Sequence, residues 1–120
     1  MSVSMKFDEG TQLCEMIISG KLDRSSFKAT EVKMTELITS GKQPRILVVL
    51  DGFLGWDQQG DWNNLDFMFT HGDKIERIAV VGDKRWESEV KMFTGAGIRK
   101  TPVGYFETER IGDARAWVLG

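Results

Sequence analysis

Two short apolar runs, Ile46-Leu47-Val48-Val49-Leu50 and Ile78-Ala79-Val80-Val81, constrain this chain more than any other feature in it. Neither alternates with polar residues, so each suits a strand covered on both faces, as in a parallel sheet flanked by helices. The longer run, Ile46 to Leu50, falls far short of the roughly 20 residues that a membrane-spanning helix needs. Parallel strands require crossovers between them, and the neighbouring segments have the spacing to supply them.

Before the first run, Phe27, Met34, Leu37 and Ile38 recur at helical spacing, with Lys28, Lys33 and Glu36 on the other side. Asp23 or Ser25 is expected to cap this helix, Gly41 to end it, and Pro44 to keep the chain from re-entering it. After the second run, Asp83 can cap a helix that stacks Trp86, Val90 and Phe93, ended by Gly95 and Gly97. Val103, Tyr105 and Phe106 mark a last strand. Thr108 is expected to cap a final helix with Ile111, Ala114 and Val118 inward.

Ahead of all this, Val3, Met5 and Phe7 alternate with polar residues, Asp8-Glu9-Gly10 makes a turn, and Leu13 to Ile18 forms a second strand ended by Gly20. The predicted order is β-β-α-β-α-β-α-β-α. It describes one α/β domain over residues 1–120, with a mixed, mostly parallel sheet and about four helices.

Composition narrows the function. At 120 residues with 41% hydrophobic and 28% charged side chains, the chain has globular and not disordered values. Its net charge of −2, with both signs mixed along the chain, argues against a nucleic-acid partner. The start, MSVSMKFDEG, lacks the pattern of a signal peptide, so a cytoplasmic location is expected. Cys14 is the single cysteine and reads as a small buried hydrophobe; His71 is the single histidine, which excludes a histidine-rich metal site within one chain.

No catalytic, cofactor or metal set can be assembled. Asp66 and His71 are five apart, about 140° around a helix, and would not meet as an acid–base pair. Gly82-Asp83-Lys84 lacks the spacing of a phosphate-binding loop. Asp51, Asp57 and Asp61 read as caps and solvated loop carboxylates, not as metal ligands.

What remains is the segment LDGFLGWDQQGDWNNLDFMFTHG, residues 50–72, greasy yet punctuated by Gly52, Gly55 and Gly60. Phe53, Leu54 and Trp56 follow the carboxyl end of the first apolar run, where open α/β sheets place ligand sites. The glycines would let this stretch move, so a mobile apolar lid is expected there, with a rigid aromatic plug as the alternative. Asp61 can cap a further helix in which Trp62, Leu65 and Phe69 share one face, Phe67 points to the other side and Met68 lies between. Such all-round apolarity calls either for Phe67 and Met68 to tuck under a neighbouring helix or loop, or for a second apolar partner: a nonpolar small molecule or lipid, a bilayer surface at the inner membrane face, or another protein or subunit. Asp57, Asp61, Asp66 and Asp73 would repel anionic lipid, so any bilayer contact is expected to be weak and mostly hydrophobic.

GKLDRSSF, DGFLGWDQQGDW, ERIAVVGDKRWE and DARAWV together resemble the SpoIIAA-like family, small bacterial proteins with a fold related to the STAS domain of anti-sigma-factor antagonists. The similarity spans roughly Met16 to Val118. The resemblance implies a STAS-like fold and a non-enzymatic role, in binding a nonpolar ligand or touching a membrane. It also raises the alternative of a STAS-like interaction module. The antagonists carry a phosphorylatable serine after the buried strand, whereas Asp51 to Asn64 here contains neither serine nor threonine. Phosphoryl switching at that position is chemically excluded.

Overall fold

The computed structural model of the protein describes residues 2–56, 75–94 and 102–120. Their order is β1 (Ser2–Asp8), β2 (Leu13–Leu22), α1 (Arg24–Thr39), β3 (Arg45–Trp56), β4 (Ile78–Gly82), α2 (Glu87–Thr94), β5 (Val103–Glu107) and α3 (Ile111–Leu119). Short 3-10 turns, Lys84–Trp86 and Thr108–Arg110, lead into α2 and α3. The strands form one sheet in the order β1-β2-β3-β4-β5. β1 pairs β2 antiparallel, and every other pairing is parallel, as the sequence implies. Three α-helices are described against about four expected; the helix expected after Asp61 lies outside the described residues.

The pleat divides the core into two layers. Cys14, Met16, Ile18, Ile46, Leu50, Ile78 and Val80 face one side, where they pack with Met34 and Ile38 of α1 and Val90 of α2. Leu13, Leu47, Ala79 and Val81 face the other side, against Ala114 and Val118 of α3. Leu47, Ala79 and Val81 have no exposure, which explains why the apolar runs of β3 and β4 do not alternate.

Helix ends follow local chemistry with some departures from expectation. Gly41 (φ +92) turns the chain after α1, and Asp83 accepts from Arg85 N at 3.0 Å to start the turn before α2. Asp23 occupies the N-cap position of α1, but its carboxylate makes no capping bond; only its carbonyl accepts, from Phe27 N at 3.2 Å. Thr108 begins a 3-10 turn and does not cap α3. Ile111, expected inward, is the first residue of that helix and is exposed.

Arginines hold the other end of α3 to the sheet. Arg45 Nη1 donates to the Val118 carbonyl at 2.8 Å and Arg77 Nη1 to the Trp117 carbonyl at 2.6 Å. These bonds supply partners to last-turn carbonyls, that of Trp117 also accepting from Gly120 N at 3.3 Å, and put positive charge at the negative end of the helix dipole.

Two strands run past their expected ends. Gly20 does not finish β2, which continues to Leu22, and β3 does not stop at Leu50 but continues to Trp56. β4 pairs β3 only from Ile46 to Val49. Beyond that point β2 and β3 leave the sheet as a two-stranded ribbon, and this ribbon carries the candidate site.

Candidate functional site

The ribbon is irregular in a defined way. Ser19 pairs with Asp51, but Gly20 pairs with Phe53, Lys21 with Gly55 and Leu22 with Trp56. Gly52 and Leu54 are therefore each skipped, giving two successive bulges on β3. Bulges of this kind re-aim side chains and cluster near functional surfaces.

The re-aiming can be read from the pleat. Leu50 faces the α1/α2 layer, so a regular strand would turn Phe53 to the opposite side. Gly52 adopts φ +63, which shifts the alternation by one residue and brings Phe53 into that layer. Phe53 is 6% exposed, whereas its skipped neighbour Leu54 is 64% exposed. One bulge buries an aromatic; the next presents a leucine.

Trp86 fixes the bulged end of β3, an arm from Asp51 to Trp56. Its ring meets Phe53 edge-to-face with centroids 5.0 Å apart, a favourable arrangement for two quadrupoles. Gly55 (φ +102) passes directly over the same indole, and a Cβ there would lie 3.3 Å from Trp86 Cη2. The Arg85 guanidinium sits 4.7 Å from the Trp86 ring centroid. Nearby, the Tyr105 hydroxyl donates to the Asp83 carbonyl at 2.6 Å. Burial, and then the charges of Asp83 and Glu87, push that hydroxyl from 10.0 to about 12, so it stays protonated and donates at neutral pH.

These contacts correct the expectation of a loop starting at Gly52: residues 52–56 belong to a strand. Of the residues singled out in the sequence, Phe53 joins the core and Leu54 points outward. Trp56 ends β3 opposite Leu22, and its side chain lies outside the description. Trp62, Leu65, Phe67 and Met68 lie outside the described residues. Trp86, expected in a helix with Val90 and Phe93, instead ends the 3-10 turn before α2 and meets Phe53, a role its helical spacing does not announce. The alternation of glycine with bulky side chains in Gly52-Phe53-Leu54-Gly55-Trp56 was the available signal.

Among the described residues, no group of three or more His, Cys, Asp or Glu side chains has metal-holding geometry. No helix among them is long and apolar enough to cross a membrane. Cys14 is fully buried, and burial pushes its thiol from 9.0 to about 11, which suppresses the nucleophilic thiolate.

Among the described residues, five strands in sequential order, an opening antiparallel hairpin and a bulged ribbon define a mixed, mostly parallel α/β module. The family model for SpoIIAA-like proteins matches residues 13–119, and the chain belongs to the SpoIIAA-like family. It is similar in structure to an uncharacterized protein with a SpoIIAA-like fold from Shewanella loihica PV-4, with a TM-score of 0.64 and 19% identity. That match covers 98% of this chain and 92% of the other, and at this identity it speaks for the fold alone. No curated protein matches the chain.

Proposed function

We propose that this protein is a non-enzymatic interaction module whose β2–β3 ribbon docks a protein partner. The observation that carries this reading is the double bulge, which anchors Phe53 on Trp86 and leaves Leu54 64% exposed on a paired strand. A leucine presented on an anchored strand has already lost most of its backbone freedom, so a partner would not have to order it. The SpoIIAA-like, STAS-related fold is consistent with a regulatory or interaction role.

A second reading keeps the same residues and changes the partner. Leu54 is the most exposed of the large hydrophobic residues among those described, and that favours a nonpolar ligand or weak contact with a bilayer. Trp56, Trp62, Leu65, Phe67 and Met68 would join it in this reading. Asp51, exposed on the same strand, opposes an anionic surface, so the lipid would be neutral.

A photo-crosslinking residue at position 54, compared with one at the exposed Val32 of α1, tests the two readings. A discrete protein adduct from position 54 alone is expected. Lipid co-purifying with the protein, without any protein adduct, would favour the second reading. Neither adduct nor lipid would remove the ribbon as a docking surface.

A further inference from the structure

We infer that the free edge of β1 pairs with β1 of a second copy, joining two sheets into one continuous sheet. This does not rest on the docking role of the ribbon: β1 is the first strand of the sheet and the ribbon is formed by β2 and β3. Among the described residues β1 has a strand neighbour on one side only. It is seven residues long and pairs with β2 without a register shift, so no bulge or proline twists its edge away. Edges of this kind are templates for strand addition unless charges guard them.

Of the two charges on β1, one lies beside an acid of its own chain and the other is bonded within its own chain. Lys6 stands in register with Glu15 of β2, and Glu15 in turn takes Arg115 of α3 at 3.1 and 3.4 Å. Asp8 is tied into the hairpin turn: its carboxylate accepts from Gly10 N and Thr11 Oγ1, each at 3.0 Å. A lysine flanked by its own acid and an aspartate bonded into a turn give the edge little protection.

A second copy fits this edge because the strand complements itself. Antiparallel pairing about a two-fold axis at Met5 sets Met5 against its counterpart, Val3 against the partner's Phe7, and Ser4 against the partner's Lys6. Val3, Met5 and Phe7 are partly buried against the α1/α2 layer, so their apolar row would continue across the junction on one face. Ser4 and Lys6 are exposed on the other face, and no like charges stand directly opposite. The interface would be small and the dimer weak.

Sedimentation velocity of the full chain over a wide concentration range, with two opposite substitutions at Ser4, tests the register. Ser4→Lys sets lysine against the partner's Lys6 twice per dimer, and Ser4→Glu sets glutamate there. At about threefold per cross-strand pair, dimerisation should weaken about tenfold in the first variant and strengthen about tenfold in the second. Circular dichroism should show both folded, since the Ser4 side chain is exposed. A monomer at every concentration in all three proteins would overturn the inference. So would a dimer that ignores the sign of the charge at position 4.

Discussion

The two halves of β3 share a strand and a partner but differ in almost everything else. From Ile46 to Val49 the strand has neighbours on both sides, an unbroken register and core layers on both faces. From Asp51 to Trp56 it has, among the described residues, β2 alone, with two bulges and glycines at φ +63 and +102. The first half is held by the sheet, and the second by its ladder to β2 and by contacts such as that of Phe53 with Trp86. A strand with two neighbours can be built from β-branched residues alone. A strand with one must use special backbone geometry to bury part of itself, and this leaves part of it for a partner.

If Phe53 is as much a core residue as Leu47, Phe53→Ala should cost about 3–5 kcal/mol, comparable to Leu47→Ala at about 2–5 kcal/mol. Urea unfolding with an unchanged slope would measure both. A Phe53 variant near wild-type stability would mean that the arm is a loose end and the comparison fails.

The glycines sharpen the same contrast. Gly55→Ala meets both an unfavourable φ and the Trp86 ring at 3.3 Å, and should cost about 2–3 kcal/mol. Gly52→Ala has an unfavourable φ but open space around it, so about 1 kcal/mol is expected. Equal losses in thermal unfolding would mean that the indole contact adds nothing.

Much of the sheet-held half was legible in the sequence, and much of the ribbon was not. ILVVL and IAVV announce buried parallel strands because double coverage leaves no polar position. Met34 and Ile38 announce the face of α1 by their spacing, and Asp83 announces the start of the turn into α2. The continuation of β3 was hidden because Gly52 and Gly55 read as breakers when seen locally. They are strand residues only because β2, more than thirty residues upstream, supplies a ladder at shifted register. Leu54, expected on a mobile lid or a rigid plug, stands exposed on a paired strand. Ile111 was misplaced because the 3-10 turn before α3 makes it the first residue of the helix, at its open end.

A third difference shows only in alkali. Cys14 stands opposite Ile46 in the sheet-held half, and its thiol is raised from 9.0 to about 11 by burial. The folded state holds this proton more tightly than the unfolded chain, so the contribution is complete below about pH 9 and is lost as pH rises through about 11. Tyr105, raised to about 12, adds the same trend at higher pH. Wild type should lose stability between pH 9 and 11 more steeply than Cys14→Ala, as read by urea midpoints across that range. Parallel profiles would place the thiol in contact with water.

The smallest effect on stability should come from Leu54→Ser, within about 0.5 kcal/mol of wild type, since the side chain is already exposed. Its consequence should appear in crosslinking yield and not in the unfolding midpoint.

Amide hydrogen exchange along β3 tests the central claim that the arm is a fixed strand anchored by Phe53 on Trp86. The wild-type protein should protect amides within Phe53–Trp56, less than those of Ile46–Val49 but well above free peptide. Trp86→Phe should lower protection in the arm while leaving Ile46–Val49 unchanged. Arm amides that exchange at free-peptide rates in the wild-type protein would contradict the account and restore the mobile lid.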